Sequence, residues 1–220
     1  MKSFSELLRA EAAEIWDAIF AHPFLADLAA GTLPIQTFRF YITQDYRYLE
    51  AFGRAVALAL GRAPDSESVR LLAARVLTPI ERPLHSRLFE LCALTVGEVE
   101  RAEIAPTNRA YMDHLLATAS MRSLGEIAAA LLPCPWTYHE IGARLAAVDE
   151  PAQPIYREWA GFYTAGFLAE SVRAWRELVD REAPSATPAQ QTAMRDAFLL
   201  SSRYELRFWT MAYQVESWEI

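Results

Sequence analysis

The sequence predicts an all-α fold, a single-domain helical bundle of about seven to nine helices, and three observations carry that prediction. Apolar residues recur at helical spacing along the chain, and no segment sustains the period-2 alternation of a half-buried strand. Only 8 glycines occur in 220 residues, too few to furnish the turns of a hairpin fold. Helix starts are written in the same register as the apolar pattern. Ser3-x-x-Glu6 and Ser123-x-x-Glu126 have the form of capping boxes, and Thr187-Pro188-x-Gln190 joins an N-cap to a proline at the first helical position.

Taken in order, the spacing predicts helices near 3–21, 34–62, 67–96, 107–120, 123–148, 155–182 and 188–217, the fifth and sixth open to a break. Gly31, the 61–66 stretch, the 150–154 stretch and the 182–188 stretch supply stops and connections. No internal repeat or long linker is visible, so residues 1–220 read as one all-α domain. At this mass, surface scaling leaves roughly 10,000 Å² exposed out of about 36,000 Å² for the extended chain. A core of that size needs no disulfide or metal staple.

Composition removes several classes of function. With 53% hydrophobic and 22% charged residues, disorder and low complexity are excluded. Among 21 Lys plus Arg the only lysine is Lys2, so no interior lysine is present to form a Schiff base, cradle a phosphate or act as an acylation base. The net charge of −7 and the lack of a basic stripe argue against a nucleic-acid partner, which requires clustered cations. The first residues carry acids within their apolar pattern and lack the uninterrupted apolar region of a secretory signal. The longest uncharged apolar stretch, 127–138, is too short to cross a membrane. Cys92 and Cys134 lie far apart in apolar helical patterns, so a reduced, soluble, cytoplasmic protein without a membrane partner is expected.

Some signatures fail on inspection. Gly161 and Gly166 have P-loop spacing, but Phe167-Leu168 follows where Lys-Ser/Thr is required, and no strand precedes them. His139-Glu140 lacks a second histidine four residues later. Glu81 and His85, at i and i+4, share a helix face that suits a metal ion. One such pair falls short of the about six ligands from four helices that a di-metal bundle uses. Structural or surface roles are therefore the better reading of this pair, and no metal is expected.

Three positions place a reactive or ionisable group where a helical stripe predicts core. Phe38, Tyr41, Asp45, Tyr48 and Phe52 form one face, with Asp45 at its middle. A carboxylate there is either a structural group satisfied by the backbone or an arginine such as Arg54, or a functional one. Phe198, Ser201, Glu205, Phe208 and Ala212 repeat the arrangement, and desolvation raises the pKa of such a glutamate toward the range of a proton shuttle. A buried ion pair is the other reading. Cys134 shares a face with Ile127, Leu131 and Tyr138 in a helix that Pro133 and Pro135 should kink or unwind. A buried free cysteine is commonly a small hydrophobe, whereas a distorted helix also suits a nucleophile. One thiol and two acids, each flanked by aromatic rings, with Tyr111 and Tyr163 on helices of their own, would suit a flat heteroaromatic ligand. Such a pocket favours free ring compounds over their phosphates.

The order and spacing of the motifs resemble one family across nearly the whole chain. They run from His22-Pro23-Phe24 and Gly31-Thr32-Leu33-Pro34 through Phe38-x-x-Tyr41-x-x-Gln44-Asp45-Tyr46-x-Tyr48-Leu49 to Asn108-x-x-Tyr111. They continue with Leu131-Leu132-Pro133-Cys134-x-Trp136-x-Tyr138-x-Glu140-Ile141-Gly142 and the Tyr163 region, and end at Ser202-Arg203-Tyr204-Glu205-x-x-Phe208-Trp209-x-Met211-Ala212. This pattern resembles the TenA / thiaminase II family of aminopyrimidine aminohydrolases, which have the haem-oxygenase-like helical fold without haem.

The resemblance implies a cofactor-free hydrolase of thiamin salvage that converts 4-amino-5-aminomethyl-2-methylpyrimidine to hydroxymethylpyrimidine and ammonia, with thiamin cleavage in some members. It implies Cys134 as nucleophile, which places the chain in the cysteine-type branch, Glu205 as the acid that exchanges protons, and Asp45 as the carboxylate on the ring nitrogen and amino group. Tyr48 and Tyr138 match pocket aromatics, Tyr111 a hydrogen-bonding pocket tyrosine, and Tyr163 a tyrosine close to Glu205. A homotetramer is implied as well. Pro135 and Thr210 depart from the family pattern, the latter at a position expected on the surface or at an interface. Two other readings remain in view: a non-catalytic regulator acting through a protein partner, and a metal-dependent oxidase using Glu81 and His85.

Overall fold

Local signals set where most helices begin. The computed structural model describes residues 2–77 and 81–219, and these form thirteen α-helices, with no strand among the described residues. They are α1 (Phe4–Glu11), α2 (Ala13–Phe20), α3 (Pro23–Ala30), α4 (Ile35–Leu60), α5 (Ser66–Leu77), α6 (Arg82–Cys92) and α7 (Val96–Arg101). The rest are α8 (Pro106–Met121), α9 (Leu124–Leu131), α10 (Pro133–Leu145), α11 (Pro154–Thr164), α12 (Ala169–Glu182) and α13 (Pro188–Gln214), with a 3₁₀ turn at Ala183–Ser185. All three predicted N-terminal signals form reciprocal capping boxes, at Ser3, Ser123 and Thr187. A fourth, Thr95 with Glu98, opens α7 inside a segment expected to end at 96.

The helices outnumber the seven to nine expected because several predicted segments are divided. The first splits at Ala12, where the backbone turns out of the helical region. The 67–96 segment is two helices, and Pro83 sits in the first turn of the second, where its missing N–H costs nothing. The 155–182 segment is interrupted after Thr164 because Gly166 takes φ +75°, a left-handed conformation that a side chain would strain. α3 fills a stretch for which no helix was predicted. His22 caps it by accepting the Phe24 N–H on Nδ1, which leaves Nε2 to donate to Thr210 Oγ1 at 3.2 Å, while Thr210 donates to the Leu206 carbonyl. Thr210 is thus a half-buried link between α13 and α3.

The two longest helices, α4 and α13, form the middle of the molecule. α4 packs against α5 and α8, α13 packs against α9, α2 and α8, and the two touch each other. α10 lies against both α11 and α13. The exposed surface is 10507 Å², close to the value that surface scaling anticipates. Trp16, Trp159, Trp175 and Trp209 are fully buried, and Tyr41 of α4 stacks on Trp209 of α13 with ring centroids 5.3 Å apart. This aromatic contact fixes α4 against α13 and thereby sets the distance between the acids that each carries.

Candidate active site

Cys134 is the second residue of α10. The kink or unwound turn expected around it takes a milder form: the helix breaks only at Leu132, which keeps helical dihedrals (φ −61°, ψ −38°) between α9 and α10. Prolines are tolerated here because Pro133 and Pro135 fall in the first turn of the new helix, whose N–H groups have no intrahelical acceptor. Cys134 is a free, buried thiol. It lines a small cavity together with Asp45, Glu81, Pro135, Tyr138 and Tyr163. Burial, followed by the negative charges of Glu205 and Glu81, pushes the thiol pKa well above its ordinary value, so the resting group is protonated. The Tyr48 hydroxyl is buried without a hydrogen-bond partner and sits close enough to Cys134 to ease the thiolate.

Asp45, on α4, is buried, and its partner is not an arginine. Its Oδ2 lies 2.8 Å from Nε2 of His85, which α6 delivers from across the bundle and which is itself 1% exposed. Tyr46 meets the His85 ring edge-on at 5.5 Å and Phe89 flanks it, so aromatic packing fixes the imidazole; among the described residues Asp45 is its one polar contact and Nδ1 has no partner. Glu81 and His85 do not converge as a ligand pair, because His85 is engaged with Asp45 and Glu81 faces the cavity with Cys134. Among the described residues no group of three or more His, Cys, Asp and Glu side chains is arranged to hold a metal ion.

Glu205, on α13, is 3% exposed and is held by hydroxyl groups alone. Tyr111 of α8 donates to Oε1 at 2.7 Å, and Thr137 of α10 lies 3.2 Å from Oε2. Burial raises the Glu205 pKa to about 7, and the two hydroxyl donors only partly offset it. Thr137 Oγ1 is also 3.1 Å from the Cys134 carbonyl. With a single proton it donates to one acceptor at a time. When Glu205 is ionised, Thr137 donates to it. When Glu205 is protonated, its O–H can donate to Thr137, which then donates to the carbonyl. The state of the acid is thereby felt within one helical turn of the thiol.

Tyrosines from four helices close the site. The Tyr138 hydroxyl is 3.1 Å from that of Tyr41, which accepts from Trp159 Nε1 at 3.1 Å. Tyr163 lies 5.1 Å from Tyr138 and 4.7 Å from Trp159, centroid to centroid. Gly142 makes that approach possible, since a Cβ there would stand 2.6 Å from the Tyr163 carbonyl carbon. Tyr48 packs on Tyr111 at 4.8 Å. Tyr163 is not a hydrogen-bond partner of Glu205: it lines the cavity with Asp45 and Glu81, and Tyr111 and Thr137 take the Glu205 oxygens.

Comparison with known proteins bears on this arrangement. The model of the TENA/THI-4/PQQC family matches residues 9–215. The chain belongs to that family. An aminopyrimidine aminohydrolase of Bacillus subtilis (strain 168) is 35% identical to this TENA/THI-4/PQQC protein over 98% of its length and 92% of the relative's. One of Halalkalibacterium halodurans is 32% identical over 98% of both chains. A solved TenA homologue from P. horikoshii OT3 superposes with a TM-score of 0.85 at 32% identity, covering 97% of this chain and 99% of that one. The fold of this family member is the all-α bundle of its TenA relatives.

Cys134, Asp45, Tyr138 and Tyr163 meet at one cavity, Tyr48 lies close to Cys134, and Glu205, bonded to Tyr111, is joined to the Cys134 turn through Thr137. Glu81, His85 and Thr137 complete the constellation without having been assigned to it from sequence. Glu81 and His85 were visible as a pair, but their spacing suggested metal. Thr137 carried no signal beyond its place one turn after the cysteine.

Proposed function

We propose that this family member is an aminopyrimidine aminohydrolase of thiamin salvage, releasing ammonia from 4-amino-5-aminomethyl-2-methylpyrimidine to give hydroxymethylpyrimidine. The observation that carries the reading is that a buried thiol, Asp45 and a tyrosine wall meet at one cavity, while Glu205 is held by hydroxyls and joined through Thr137 to the turn that carries the thiol. Identity to curated aminohydrolases over nearly the full chain supports the same reaction.

In the reaction, Asp45, oriented by His85, accepts hydrogen bonds from the pyrimidine ring nitrogen and exocyclic amine and favours the ring-protonated, electrophilic form. The protonated Cys134 thiol gives up its proton as sulfur adds to the ring carbon beside the 5-methylene, with Glu205 as proton acceptor through the adjoining hydroxyls. The protonated amino group departs from the methylene as ammonia, taking the C–N bonding pair as an exocyclic double bond forms, and Glu205 keeps the thiol proton until the sulfur takes it back. Water then adds to the methylene and loses a proton. Sulfur leaves with its bonding pair, and the ring regains aromaticity. A glutamate with a pKa of about 7 is suited to accept and return a proton in one cycle near neutral pH. No cofactor enters the scheme. The full chain acts as one domain, in a homotetramer in the cytoplasm. Thiamin is the second candidate substrate, its thiazole departing in place of ammonia.

The test is ammonia release from the aminomethylpyrimidine measured beside thiazole release from thiamin. Ammonia appearing in step with hydroxymethylpyrimidine is expected, and its absence overturns the proposal.

A further inference from the structure

Glu81 is used by none of the steps above, yet it lines the site beside Cys134. Two adjoining cavities meet there, one bounded by Asp45, Tyr138 and Tyr163 and the other by Phe52 and Trp175. Glu81 and Cys134 border both. Its carboxylate is eased by its own backbone N–H and by the charge of Arg82. The Arg82 guanidinium, however, lies over the Tyr46 ring 3.8 Å from its centroid, and Glu81 makes no ion pair among the described residues. Arg75 lines the second cavity but makes no ion pair with Glu81. Asp45, by contrast, has His85. A buried acid left without a cationic partner in the wall of a pocket destabilises the empty site, and a cation arriving with the ligand removes that cost.

We infer that Glu81 is a specificity-determining residue: its carboxylate receives the ammonium of a substrate whose departing group is a primary amine, while Asp45 holds the ring. The inference rests on the proposed aminohydrolase reading and deepens it, because it makes a cationic 5-substituent the preferred substrate class over neutral ones. Burial and the nearby Asp45 raise the Glu81 pKa to about 7, so an entering ammonium would meet a group readily drawn into its charged form. The product carries a neutral hydroxymethyl group in the same place. The contact is lost on turnover, which favours product release.

The experiment compares ligands that differ only at that substituent. Binding of the aminomethyl and hydroxymethyl pyrimidines is measured by calorimetry near pH 7.5 in the Cys134→Ala chain, which cannot turn over, with and without Glu81→Gln. The ratio of amine to alcohol affinity should fall by about fivefold or more in Glu81→Gln, the scale of one charge-assisted hydrogen bond. A smaller change, or equal losses for both ligands, overturns the inference. Should Gln at this position unfold the chain, Glu81→Ala is read against the same threshold. Ammonia release by the unmodified protein reports separately on the hydrolase: release with an unchanged ratio defeats the role of Glu81 alone, and no release defeats the reading beneath it.

Discussion

The two acids at the centre of the molecule occupy stripes that look alike, yet they are held in opposite ways. Asp45 on α4 meets an imidazole, a partner that can carry positive charge, at 2.8 Å. Glu205 on α13 meets only hydroxyls, which cannot, and its pKa rises to about 7. A carboxylate beside a histidine is suited to stay fixed and accept hydrogen bonds from a ligand. One among neutral donors is suited to change protonation state. The partner, delivered by a distant helix, sorts two similar acids into different tasks.

Substitutions at the two sites test that division. Glu205→Gln keeps both hydroxyl contacts within reach but cannot carry the proton, so kcat for ammonia release should fall by about 100-fold or more. Asp45→Asn removes the fixed charge and should cost well over about tenfold in kcat/KM, expressed partly in KM. His85→Asn should cost less, about five- to tenfold. In the Asp45→Asn background it should cost almost nothing, because the two side chains act as a unit; additive losses in that double-mutant cycle would separate them.

Stability gives the smallest effect and a distinct sign. The folded-state pKa of Glu205, about 7, is raised above the ordinary 4.5, so its contribution favours folding fully below about pH 4.5 and is lost as pH rises through about 7. Glu205→Gln should therefore stabilise the chain by about 2 kcal/mol more at pH 8 than at pH 5, measured by urea denaturation. Glu81, displaced in the same direction, should repeat this dependence.

The same contrast marks what the sequence can and cannot disclose. Period-3.6 stripes identified Asp45, Glu205 and the face of Cys134, because burial on a helix is a local property of spacing. The partners were not legible. Arg54 is the partner that the sequence suggests for Asp45, whereas His85 reaches it only because α6 packs against α4, a fact that no spacing within either helix contains. Glu81 caps the start of α6 and His85 lies one turn inside it, yet one faces the cavity and the other Asp45, so the two do not converge as their spacing would allow. α3 and α7 are short helices whose caps, His22 with Pro23 and Thr95 with Glu98, are the marks that identify them; their apolar periods are too brief to do so. The proline pair around Cys134 signalled an irregularity but not its mildness, since whether a proline kinks a helix or opens a new one depends on whether the chain renumbers its first turn there.

The account stands on Cys134 as the group that bonds to the ring, and ammonia release by the unmodified protein and by Cys134→Ser, measured side by side with their circular dichroism, tests it most directly. The account predicts an unchanged helical spectrum and a rate at least about a thousandfold lower in the serine variant, because the hydroxyl is a far weaker nucleophile at this position. A folded Cys134→Ser chain releasing ammonia within about tenfold of the unmodified rate would contradict covalent catalysis by this thiol.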